Sequence, residues 1–212
     1  MDPALFIDGA YLMKTWSSLQ RGDRLDFTKM RQYLEARFCA EGETIGDAYY
    51  FNADSDPSTS KQNGFHNALS VPPPNGPGLR VKLYWLQRKK LFWPQSLGGG
   101  PVVHPQRKLQ FELVQQKAVD VSLAFHLIRS HTQRGWTKLF LAAGDSDFHE
   151  CVQHLVENEN VDLYLIGTEN TISGELKPYA RAIIRLDEVA EEWSRPRPQQ
   201  DESLFADPPA LQ

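Results

Sequence analysis

Residues 137–167 constrain the fold more than any other stretch. "TKLFLAAG" (137–144) is an apolar run of strand length, "SDFHECVQHLVE" (146–157) has helical composition, and "VDLYLIG" (161–167) is a second apolar run. Buried strands that alternate with helices imply a mostly parallel sheet covered on both faces. The pattern continues toward the N-terminus. "ALFID" (4–8) reads as a first buried strand ended by Asp-Gly, residues 11–20 as a helix, and "GDAYYFNA" (46–53) as a strand. Between them, Asp26 or Thr28 can cap a helix whose apolar stripe includes Met30, Tyr33, Leu34 and Phe38. At 212 residues the chain has room for one α/β domain, expected over 1–193.

The middle of the chain is less regular. "SKQNGFHNALS" (60–70) reads as a short helix, "PPPNGPG" (72–78) as a loop and "LRVKLYWLQ" (79–87) as a strand. Residues 88–110 mix aromatics, Gly, Pro and basic side chains, which suggests a hairpin or loop excursion with Gly98, Gly99 and Gly100 at its tip. A long helix is expected from Glu112 to about His131, and a last one around 172–181 before a final strand in "AIIRLDEV" (182–189). From Ser194 to Gln212 the Pro-, Gln- and acid-rich composition is that of a disordered tail.

Charge is distributed unevenly. Between Asp56 and Glu112 there is no Asp or Glu, while Lys61, Arg80, Lys82, Arg88, Lys89, Lys90, Arg107 and Lys108 supply eight positive charges. The rest then carries 15 basic against 27 acidic residues, a balance of −12 beneath an overall −4. Such polarity suits the steering of an anionic ligand. The cysteines, Cys39 and Cys151, lack CxxC spacing, which points to a reducing compartment and away from zinc. "MDPALFIDGAYL" lacks the features of a signal peptide, and no apolar run is long enough to span a bilayer, so a cytoplasmic location is expected.

The acids carry the chemistry. Ligands of open parallel sheets bind outside the carboxyl ends of the strands. Asp8 ends the first strand, and Asp145 and Asp147 follow a later one. Asp120 lies inside the expected long helix, on a face shared with Lys117, Ala124 and Leu127. Burial there would cost more than an exposed pair with Lys117 returns. A helix cap accounts for one of the acids, not for all four. Carboxylates brought together repel unless cations lie between them, and hard oxygen donors suit Mg²⁺ or Mn²⁺. No GxxxxGK[ST] or GxGxxG phosphate loop is present.

"FIDGAYL" (6–12), "KAVDVSLAFHLI" (117–128) and "LAAGDSDFHECVQHL" (141–155), in this order, resemble the NYN domain family in its LabA-like bacterial branch, part of the PIN-like nucleases. "DLYLIGTENTISGELKPYA" (162–180) is similar to the family's following segment, so the resemblance spans roughly residues 4–190. It implies a three-layer α/β/α, Rossmann-like PIN fold with a mostly parallel central sheet, and hydrolysis of RNA dependent on Mg²⁺ or Mn²⁺. Carried over by position, Asp8 and Asp145 are the leading metal ligands and Asp120 the next. Asp147 would act through water or cap the helix. Ser146 would orient the set, and Lys117 would touch a phosphate or tune its neighbour. The family often has Asn at the position of Tyr11, and a second Asp at that of His126, where a satisfied histidine outweighs a ligand.

A single-stranded or structured RNA partner fits the acid-free segment. Arg80, Lys82, Arg88, Lys89, Lys90, Arg107 and Lys108 can neutralise phosphates, and Phe92 and Trp93 can stack on unpaired bases. Trp85 is expected in the core. A homodimer is compatible with the sequence. Two other functions compete: a non-catalytic RNA- or protein-binding module, suggested by Tyr11 and His126, and a phosphatase with Asp8 as nucleophile. The second lacks the D-x-D pairing such enzymes commonly show.

Overall fold

Six short segments pair side by side into one sheet, and the sequence explains why they are strands. The central ones are apolar runs closed by a turn or a capping residue, and the two edge strands are mixed in composition. The computed structural model describes residues 2–54, 58–115 and 118–196. In chain order the first elements are β1 (Ala4–Asp8), α1 (Gly9–Ser18), β2 (Arg24–Leu25), α2 (Phe27–Phe38), β3 (Asp47–Asp54), α3 (Ser60–Ser70) and β4 (Arg80–Trp85). There follow β5 (Gln87–Lys90), β6 (Glu112–Gln115), α4 (Val119–Arg134), β7 (Lys138–Ala142) and α5 (His149–Gln153). The last are β8 (Asp162–Gly167), β9 (Ala180–Arg185), α6 (Leu186–Val189) and β10 (Ser194–Arg195).

The central sheet runs β4-β3-β1-β7-β8-β9, and every pairing in it is parallel. β1 lies between β3 and β7 and is buried along its whole length. Its alternate residues serve opposite faces, as strand geometry requires. Leu5 and Ile7 pack with Leu12, Trp16, Met30 and Leu34 of α1 and α2. Ala4 and Phe6 pack with Leu123 and Leu127 of α4 and Val152 of α5. Each of the large aliphatic side chains and Phe6 contributes about 1.5–3 kcal/mol by leaving water. The result is a three-layer α/β/α fold, the expected architecture.

Local signals set the ends of several helices. Asp26 caps α2, its Oδ1 accepting the Thr28 and Lys29 amides at 2.9 and 3.1 Å. Thr59 and Gln62 form a reciprocal capping box at the start of α3. Gly9 lets α1 leave β1 close to β3, since a Cβ there would lie 2.3 Å from the Tyr50 ring.

Five expectations need correction. Residues 112–115 are strand β6, paired antiparallel to β5, and α4 begins only at Val119. The basic excursion is thus a hairpin whose returning arm, with its apolar Leu113, imitated a helical stripe. α4 buries one narrow stripe, Val119, Leu123, Leu127 and Ser130, with Phe125 58% exposed, so Asp120 is not enclosed by apolar neighbours. No α-helix forms at 172–181; turns and a short 3₁₀ segment at Lys177–Tyr179 lead into β9, because Pro178 and Gly174 oppose a helix. Trp85 is 53% exposed at the end of the edge strand β4, not core. Ser194 and Arg195, expected in the tail, pair with Leu25 and Arg24, and the tail from residue 197 lies outside the described residues.

Candidate active site

Asp8 is the last residue of β1 and the N-cap of α1, its Oδ1 accepting the Tyr11 amide at 3.1 Å. Asp145 does the same after β7, with Oδ1 accepting the Asp147 amide at 3.2 Å and the Ser146 hydroxyl at 3.4 Å. The cap is therefore Asp145, not Asp147, which stands exposed in the first turn that Asp145 caps. β1 and β7 are adjacent and parallel, so both turns open on one edge of the sheet. Asp120 arrives from α4, in the first turn of that helix. Free amides there favour a negative charge, which is what makes an acid acceptable at that position.

Electrostatics tie these acids together. Burial raises the Asp8 carboxyl above its ordinary value, the Tyr11 amide opposes this, and the charges of Asp120 and Asp145 add to the rise. Asp120 is raised too, by burial first and then by Asp145 and Asp147. Among the described residues no cation forms an ion pair with any of the four. Lys117 lies outside the described residues.

The cleft beside them holds about 520 Å³ and is lined by Asp8, Asp145, Ser146, Tyr11, Lys14 and the loop Asn170–Ser173. Tyr11 forms its wall. The Tyr11 hydroxyl and Thr171 Oγ1 are 3.1 Å apart, and a Cβ on Gly144 would strike the Tyr11 ring and one on Gly167 its hydroxyl. Lys14 and the Asn170–Ser173 loop escaped the sequence reading. The signal available was the polar "TENT" directly after the apolar run of β8, at the same sheet edge as Asp8 and Asp145.

Other expected site residues lie elsewhere. His126 is six residues after Asp120, about 120° round the helix. Its Nδ1 lies 2.8 Å from the Ser122 carbonyl oxygen, and its ring packs on Tyr49 and Phe51, on the far flank of α4 from the acids. Arg88, Lys89, Lys90, Phe92, Trp93, Arg107 and Lys108 belong to the hairpin, exposed and outside the cleft lining. Of these, Arg88 pairs with Glu112 at 3.6 Å. Cys151 is a free thiol whose burial pushes its pKa up to about 11, so it is not a nucleophile.

The donor chemistry suits a hard divalent cation: oxygen only, negative, and uncompensated. It is not a finished cage, since among the described residues no three His, Cys, Asp or Glu side chains are grouped to hold a metal as they stand. Nor, among the described residues, is any helix long and apolar enough to cross a membrane.

A parallel α/β/α sheet with an acidic cleft at its carboxyl edge has the architecture of the PIN-like nucleases. The chain belongs to the NYN domain family, which matches residues 3–187 and falls within that superfamily. Its fold resembles a solved protein of unknown function from Vibrio parahaemolyticus, with TM-score 0.57 and 15% identity over 92% of this chain and 96% of that one. No curated protein matches the chain.

Proposed function

We propose that the protein is a metal-dependent endoribonuclease of the LabA-like branch, hydrolysing phosphodiester bonds of single-stranded RNA. The observation that carries this reading is the group of four unneutralised acids, each raised or faced by another, at the carboxyl edge of a parallel sheet. Asp8, Asp120 and Asp145 would hold Mg²⁺ or Mn²⁺, with Asp147 acting through water. When bound, such an ion polarises the phosphate and lowers the pKa of a water. The chain's own residues do the rest. The caps on Asp8 and Asp145 fix those carboxylates, and Lys14 brings a positive charge to the cleft for the substrate phosphate. Asn170, Thr171 and Ser173 provide hydrogen-bonding groups along the cleft. The basic hairpin, with exposed Phe92 and Trp93, binds the strand by charge and stacking.

A binding module without catalysis is the second reading, favoured by the lack of a preassembled three-ligand group among the described residues. End-labelled single-stranded RNA with Mg²⁺ or Mn²⁺ separates the two. The nuclease reading predicts cleavage that chelator abolishes and that Asp145→Asn lowers by about 10²–10³-fold or more. RNA bound but uncut by the wild type would leave the binding module. Equal cleavage by both proteins would mean a contaminant.

A further inference from the structure

On the flank of α4 away from the acids, a second cavity of about 170 Å³ is lined by Tyr49, Arg80, Lys82, His126, Arg129 and Gln133, with Ser130 at its base. Three regular elements build it, and Tyr49 comes from β3. Arg80 and Lys82 share one face of β4 by the two-residue repeat of a strand. His126, Arg129, Ser130 and Gln133 share one face of α4 at spacings of three, four and seven.

The cations are unequal in a way that points to a ligand. Arg80 is held in place: Nη1 donates to Asp47 Oδ1 at 2.7 Å and to the Tyr49 hydroxyl at 2.8 Å, and the guanidinium lies 5.2 Å from the Tyr49 ring centre. Asp47 is fixed in turn by the Ser130 hydroxyl at 2.6 Å, and Ser130 by Trp136 Nε1 at 2.9 Å. Lys82 and Arg129, by contrast, have no ion-pair partner among the described residues. Unpaired cations such as Lys14 and Lys89 occur elsewhere among the described residues, but here two of them converge with an anchored third on one cavity. Asp47 is the only acid paired to a lining residue among the described residues, and Arg80 with Arg134 already answers it.

We propose that this pocket is an anion site that takes a phosphate group. Its size suits a phosphate better than a nucleoside, and an anchored guanidinium with two free cations matches a multiply charged tetrahedral anion. The phosphate has two sources, a free ion or the backbone of a polynucleotide. The second rests on the ribonuclease reading; the site itself does not.

Calorimetric titration with inorganic phosphate at low ionic strength is the test, on wild type and on the Lys82→Ala/Arg129→Ala double variant. Both residues lie outside the apolar core, so matching melting curves will confirm the variant's fold. The wild type should bind saturably, and the double variant about tenfold more weakly or worse. No saturable binding by the wild type, or equal binding by both, would overturn the site. A second arm measures labelled single-stranded RNA by anisotropy in chelator. Weaker RNA binding by the variant, with a salt slope reduced by about one per lost phosphate contact and competition by phosphate, would assign the anion to an RNA backbone. Lost phosphate binding with RNA affinity intact would assign it to a free phosphate. Absent cleavage with phosphate binding intact would count against the ribonuclease alone.

Discussion

Asp8 and Asp47 stand at opposite ends of neighbouring strands, 8% and 5% exposed, and share little else. Asp47, at the amino edge of the sheet, is answered on both oxygens, by Arg80 and by Ser130, with Arg134 at 4.0 Å. Asp8, about 13 Å along the strand direction, has backbone amides and other acids around it. Asp54, buried at the end of β3, is likewise met by side chains, Gln62, Ser58 at 3.0 Å and the His66 ring at 3.8 Å. Burial of a carboxylate therefore does not mark a site in this protein. Asp8 differs in facing other acids with no cation against it among the described residues, a cost of burial that protonation or a bound cation would relieve.

The largest expected effect breaks the satisfied side. Asp47→Ala leaves Ser130 and Arg80 without their acceptor and should cost about 2–4 kcal/mol in denaturant unfolding. A loss under 0.5 kcal/mol would mean that the network does not hold the amino edge. Gly144→Ala tests the cleft wall: a Cβ would sit 2.2 Å from the Thr171 carbonyl oxygen and 2.5 Å from the Tyr11 ring. It should cost about 1–3 kcal/mol and weaken RNA cleavage together with stability.

The smallest effect has the opposite sign. Asp8→Asn keeps a capping side chain and removes a charge that its neighbours repel, so the metal-free protein should gain about 1 kcal/mol at neutral pH. The pKa of Asp8 is raised on folding, so between its ordinary value of 3.8 and the raised value the folded state binds more protons than the unfolded one. The contribution of Asp8 to stability therefore falls as pH rises through that window and then levels. The advantage of Asp8→Asn should be full above the raised value and disappear as pH falls below about 4. Urea unfolding across pH 3.5–7.5 measures this, and a variant less stable than wild type at pH 7 would refute the repulsion.

These contrasts were only partly legible in the sequence. The β1, β3, β7 and β8 runs and the α3 limits could be read directly, because each apolar run has one period and ends at a capping or turn residue. β6 could not, since "ELVQ" has no pattern that separates a four-residue strand from the helix that follows it. "FIDG" and "GDSDF" placed Asp8 and Asp145 at the same edge, and the sheet order then made them neighbours. That His126 faces away from Asp120 depends on where α4 begins and which face packs on the sheet. Lys14 and Thr171 reach the cleft only through tertiary contacts between α1 and the loop after β8. The pairing of Asp47 with Arg80 and Ser130 likewise spans 33 and 83 residues, beyond any local signal.

The most direct test of the acid cleft is thermal unfolding with and without Mn²⁺, for wild type and Asp145→Asn. At about a hundredfold excess over the dissociation constant, the wild type should melt about 5 °C or more higher. The variant should shift far less. A wild type indifferent to Mn²⁺, or an equal shift in both proteins, would contradict a cation site built from these carboxylates.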